Sequence, residues 1–108
     1  MERLKAEMEL QQAIQNEKIL IVQFGAESCA PCHAIRNKID AWNQTGEAIY
    51  SLYIPVEEFS ELAAQSSVFA VPTILVYVEG KLAIRESGYF GLEPILQKIR
   101  QYQKMLQE

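Results

Sequence analysis

Val22-Gln23-Phe24-Gly25-Ala26-Glu27-Ser28-Cys29-Ala30-Pro31-Cys32 is the stretch from which the rest of the chain can be read. It continues the run Ile19-Leu20-Ile21-Val22-Gln23-Phe24, β-branched and apolar on both faces, as a central strand requires. Gly25 to Ser28 form a short loop, and Pro31 then falls in the first turn of a helix, where proline is tolerated. Two cysteines with two residues between them therefore stand at a strand–helix junction, close enough to meet in a small disulfide ring. The free N–H groups and partial positive charge of a helix N-terminus favour the thiolate of the first cysteine. Such a thiolate attacks a disulfide to form a mixed disulfide, and a second thiol nearby displaces the reduced product. On this reading Cys29 is the exposed attacker and Cys32, one turn into the helix, the shielded resolver. Pro31 stiffens the loop between them.

Working outward, Leu4, Met8, Leu10 and Ile14 predict an amphipathic helix from Arg3 to about Asn16. Ile35, Ile39 and Trp42 form the apolar stripe of the helix after the cysteines, which ends near Thr45-Gly46. Glu47 to Ile54 reads as a strand bounded by Pro55, and Glu57 to about Ser67 as a helix burying Phe59, Leu62 and Ala63. Thr73 to Glu79 and Lys81 to Ser87, turned by Gly80, are the clearest hairpin. Leu92, Ile95, Ile99, Tyr102 and Leu106 mark the last helix. The order αβαβαββα implies one α/β domain over residues 1–108. Its first two strands are parallel, its last two antiparallel, and helices cover both faces of a mixed four-stranded sheet.

Composition narrows the function. With 49% hydrophobic and 22% charged residues, the 108-residue chain can bury a core without disulfide staples, so the cysteines are free for chemistry. A net charge of −4 supplies no electrostatic footprint for nucleic acid, and no basic amphipathic helix suggests a membrane surface. The opening residues, Met1 to Glu7, are too charged for a signal peptide core, so a cytoplasmic protein is expected.

Residues 22–32 resemble the active-site strand and loop of the thioredoxin family. Val68-Phe69-Ala70-Val71-Pro72-Thr73, an apolar strand, Glu79-Gly80-Lys81 and Gly88 resemble that family's C-terminal half. The resemblance implies a thioredoxin fold and a thiol–disulfide oxidoreductase that reduces protein disulfides through the redox-active pair Cys29 and Cys32. It further implies that Pro72 is a cis-proline facing the cysteines, leaving the Val71 backbone to dock an extended client. Gly80 and Gly88 match structural turn glycines. No bound cofactor is implied. Electrons come from a thioredoxin-reductase-like donor, with NADPH further upstream, and the protein acts as a monomer on disulfide-containing proteins.

Four departures modify that expectation, and one element is missing. Gln23 stands where the family carries a buried aspartate, so a proton step at the resolving cysteine must use water or another group. Its neutrality favours the thiolate and slows release of the mixed disulfide. Ser28 replaces the usual tryptophan and Ala30 the usual glycine. His33 lies where lysine is common and either tunes the cysteines or rests on the helix surface. The family's N-terminal strand has no counterpart in the pattern.

Other chemistries fit the cysteine pair less well. Cys29-Ala30-Pro31-Cys32-His33 satisfies the haem-attachment pattern, but neither a distal ligand nor an export signal accompanies it. No metal site is expected, because zinc would need two further ligands and His33 is the only histidine. A redox-sensing or binding module with little turnover is the alternative to an enzyme, motivated by Ser28 and Gln23. Trp42 reads as core, Glu27 as a solvated loop charge, and Tyr89 and Phe90 as caps on the core or flanks of the client groove.

Overall fold

The computed structural model describes residues 1–107. In chain order it contains β1 (Glu2–Arg3), α1 (Glu7–Asn16), β2 (Ile19–Gly25), α2 (Ala30–Asn43), β3 (Tyr50–Pro55), α3 (Ser60–Gln65), β4 (Thr73–Val78), β5 (Lys81–Ser87) and α4 (Leu92–Leu106). The sheet runs β1-β3-β2-β4-β5, with β1 and β2 parallel to β3 and the β2–β4 and β4–β5 pairs antiparallel. The α/β class and the mixed sheet are as expected, but five strands are present rather than four.

Alternation along β2 explains the two layers. Leu20, Val22 and Phe24 join Leu10 and Ala13 of α1 and Leu62 and Ala63 of α3 on one face. Ile19 and Ile21 join Ile39 of α2 and Ile95, Leu96 and Ile99 of α4 on the other. Both cores are needed because β2, the middle strand, is buried along its whole length.

The additional strand takes in Arg3, expected to open the first helix, together with Glu2, which lies outside the expected elements. Glu2 and Arg3 pair with Leu52 and Tyr53, and the Leu4 N–H donates to the Tyr53 carbonyl at 2.9 Å. Leu4 thus reaches the core from extended chain, not from a helix stripe. Glu9 stops α1 from extending further back: its carboxylate accepts from the N–H groups of Lys5 and Ala6, at 2.6 and 2.8 Å. Met8, placed on the expected stripe, is exposed instead.

Two other boundaries moved for local reasons. β3 begins at Tyr50 rather than Glu47 because the Asn43 carboxamide pairs with both backbone groups of Ile49, at 2.6 and 2.8 Å. α3 is shorter than expected because Pro55 accepts from the N–H groups of Glu58 and Phe59, which turns residues 56–58 before the helix starts. The hairpin matches its expected bounds closely, with Glu79 and Gly80 both at positive φ (50° and 83°) in the turn.

Candidate active site

Cys29 and Cys32 lie together at the C-terminal end of β2 and are joined, with their Cα atoms 5.3 Å apart. Cys29 is the N-cap of α2, and its sulfur accepts from the Cys32 N–H at 3.2 Å. The helix therefore presents a backbone donor and its positive end to this sulfur. No acidic residue of the first turn opposes that field. Cys29 is partly exposed, whereas Cys32 is completely buried. Pro31 occupies the first turn, where its missing N–H leaves no bond unmade.

At the same end of the sheet, where Thr73 pairs with Phe24, the Val71–Pro72 bond is cis. Pro72 sits at the head of the β4–β5 hairpin, and its carbonyl accepts from the Gly88 N–H at 3.0 Å. Thr73 ties this corner together, donating to the Ala70 carbonyl at 2.6 Å and lying 2.8 Å from the Ser87 hydroxyl. Among the described residues, neither backbone group of Val71 has a backbone partner. The chain before the cis-proline therefore retains a free donor and acceptor.

His33 is not an idle surface histidine. Its Nε2 lies 2.8 Å from the Glu27 carbonyl and its Nδ1 3.2 Å from an Arg36 guanidinium nitrogen. Arg36 can only donate and the carbonyl only accept, so the proton sits on Nε2. The ring clamps the loop before Cys29, and neither nitrogen is free as an axial ligand. Glu57 secures the same loop, accepting from the Glu27 N–H at 2.9 Å. That backbone bond holds the Glu57 carboxyl below the usual carboxylate range. Glu27 itself is a solvated loop charge, as expected, and Ser28 and Ala30 are exposed.

Gln23 is completely buried behind the pair, and its Nε2 donates to the Cys32 carbonyl at 2.7 Å. The residue that replaces the family's aspartate therefore fastens the first turn of α2 to the sheet. Tyr53, which the sequence did not mark, is its register partner on β3. The Arg36 guanidinium covers the Tyr53 ring at 4.5 Å from the centroid. Gly25 makes room for that ring: a Cβ there would collide with the Tyr53 hydroxyl and lie 2.9 Å from two ring carbons. The only sequence signal for this arrangement is a glycine closing an otherwise bulky strand.

Trp42 packs against the α2–α4 core under the Arg100 guanidinium, 4.0 Å from the ring centroid, so the core reading holds. Phe90 likewise packs onto that core, but Tyr89 does not. It stands fully in solvent at 105% relative exposure, and Phe69 exposes 84%. Among the described residues no other large hydrophobic side chain is as exposed, and both flank the Pro72 corner. Phe69 was also not marked by the sequence, since exposure of an apolar residue carries no periodic signature. Among the described residues, no cluster of three or more His, Cys, Asp or Glu could hold a metal ion, and no helix is long and apolar enough to cross a membrane.

Residues 3–101 match the family model described as Thioredoxin. The chain is 32% identical to a thioredoxin of Echinococcus granulosus over 71 residues, 66% of either chain. It is 33% identical to thioredoxin-2 of Pyricularia oryzae over 69 residues, 64% of this chain and 40% of that one. The matched stretches thus span two thirds or less of these relatives' own length. The X-ray structure of Fasciola hepatica thioredoxin superposes with a TM-score of 0.79 at 27% identity, covering 93% of this chain and 98% of that one.

Proposed function

This chain belongs to the thioredoxin family, and from that premise we infer that it is a thiol–disulfide oxidoreductase that reduces disulfides in other proteins. One observation carries the reading: Cys29, partly exposed, caps α2, while its partner Cys32 is wholly buried beneath it. In the dithiol form the Cys29 thiolate attacks a client disulfide, and one client sulfur leaves as a thiol. The Cys32 thiolate then attacks Cys29 Sγ, the bond to the client breaks, and the second client thiol departs. The chain is left with the Cys29–Cys32 disulfide, and the client has gained two electrons and two protons.

The client docks as an extended segment on the Val71 backbone, where the free donor and acceptor lie beside the cis-proline. Phe69 and Tyr89 take over the apolar contact that Ser28 lacks. Replacing both with serine is expected to raise KM for a protein disulfide about 5- to 20-fold, the scale of losing two exposed aromatic contacts. Steady-state reduction of a small folded client reads this directly, and a small aromatic disulfide should respond far less.

The chain works as a monomer in the cytoplasm, where a thioredoxin-reductase-like protein with NADPH behind it restores the dithiol. In support, both cysteines and the docking corner come from one chain, and reduction of clients needs a reducing compartment. No bound cofactor takes part, because both electrons reside in the sulfurs. Dithiothreitol-driven reduction of a small disulfide-bonded protein tests the activity. Catalysed turnover supports the reductase. A pair that cycles between thiol and disulfide without turnover would instead establish the sensing module.

A further inference from the structure

Two buried side-chain oxygens, Gln23 Oε1 and Tyr53 Oη, lack a hydrogen-bond partner among the described residues. A buried polar group without a partner is destabilising, so two such groups in one place call for an explanation. They are not scattered. Gln23 and Tyr53 are register partners on adjacent strands, and the other end of the same carboxamide already holds the Cys32 carbonyl at 2.7 Å. The Tyr53 ring extends along β2 to Gly25, toward the strand end that carries the cysteine loop. Gln23, Cys32 and Tyr53 are all buried, at 0%, 0% and 2% exposure, so bulk water does not serve them.

The two groups are complementary to a thiol. An amide oxygen accepts from an S–H, and a phenol O–H donates to a thiolate. In the disulfide that the structure holds, the Cys32 sulfur has neither a proton to give nor a charge to stabilise. This is the redox state in which both groups would be idle.

We propose that Gln23 Oε1 and Tyr53 Oη form the seat of the reduced Cys32 sulfur, the amide oxygen accepting from its thiol and the tyrosine hydroxyl donating to its thiolate. Tyr53 keeps its own proton throughout. Burial pushes its phenol above the ordinary value, opposed by Arg36 on α2 and by Arg3 on β1 and reinforced by Glu57 after β3. In the resolving step Cys32 loses a proton and attacks Cys29 Sγ, and the client sulfur leaves with the bonding electron pair. That sulfur then takes up a proton equivalent to the one Cys32 lost. The tyrosine hydroxyl stabilises the thiolate without an acidic side chain, while the amide oxygen holds the thiol that precedes it, and this division answers the loss of the family's aspartate at Gln23. It also couples burial to redox state, since reduction gives the amide oxygen a partner in the thiol and the tyrosine hydroxyl a partner in the thiolate, and oxidation removes both.

The inference rests on Cys32 being the resolving thiol, and Tyr53→Phe tests it because this change deletes only the hydroxyl. Wild-type protein is measured first by rapid quench for mixed-disulfide formation and resolution; absence of a mixed disulfide at Cys29 would overturn the functional reading itself. With that step established, Tyr53→Phe should slow resolution about tenfold at neutral pH, and the midpoint of its pH profile should rise by about one unit. At equilibrium with glutathione, the ratio of disulfide to dithiol should rise about tenfold. The disulfide form should be no less stable to urea than wild type, since one unpartnered oxygen has gone. A pH profile and glutathione equilibrium that superpose on wild type would overturn the inference. So would equal destabilisation of both redox forms, which would mark Tyr53 as packing alone.

Discussion

Cys29→Ser is expected to lower protein-disulfide reduction to the uncatalysed level, a loss of about a thousandfold or more, because a hydroxyl at this position is not ionised at neutral pH. The environment that favours a thiolate is specific: the N-cap of α2, with the Cys32 N–H 3.2 Å from the sulfur. An alcohol in the same place gains a hydrogen bond but no useful charge. Fold should survive, since a chain with this much buried apolar surface does not depend on a loop closed over so few residues. A circular dichroism spectrum matching wild type, together with lost turnover, checks both halves of the expectation.

Phe24→Ala should have the largest effect on stability. Phe24 is completely buried near the end of β2, packed in the core formed with α1 and α3. Truncating such a ring costs about 3–5 kcal/mol, against a typical total of about 5–15 kcal/mol for a domain. A fall in melting temperature of about 15 °C or more follows. Activity should drop as well, because Phe24 and Gly25 anchor the loop that delivers Cys29. Urea denaturation with the midpoint and slope both recorded separates lost stability from lost cooperativity.

How much of this was legible in the sequence depended on whether a feature has a period. Ile19 to Phe24 and Lys81 to Ser87 were readable because a buried strand and a glycine-turned hairpin each leave a local pattern. Glu2–Arg3 was not, since a strand of two residues has no period, and only its pairing with Leu52 and Tyr53 makes it one. The same logic governs the site. Cys29, Cys32 and Pro72 announce themselves by spacing and by resemblance, and the structure brings all three to one end of the sheet. Tyr53 and Arg36 could not be found that way, because their meeting depends on strand register and on the space Gly25 leaves. His33 was visible as a residue, but its clamp on the Glu27 carbonyl was not.

These parts sharpen the contrast with the family's usual site. The aspartate is absent, yet its position is not vacant chemically: a carboxamide there fastens Cys32 through the helix backbone. The tryptophan is absent too, and two aromatic side chains, Phe69 and Tyr89, stand exposed on either side of Pro72 in the chain. Both changes keep the sulfur chemistry and alter what surrounds it.

The most direct test is to mix reduced Cys32→Ser protein with a disulfide-bonded client and identify the products by intact mass and peptide mapping. The account predicts one covalent adduct per chain, linked through Cys29, stable to dilution and released by dithiothreitol. A chain that stays unmodified, while its Cys29 remains reactive toward an alkylating agent, would contradict it.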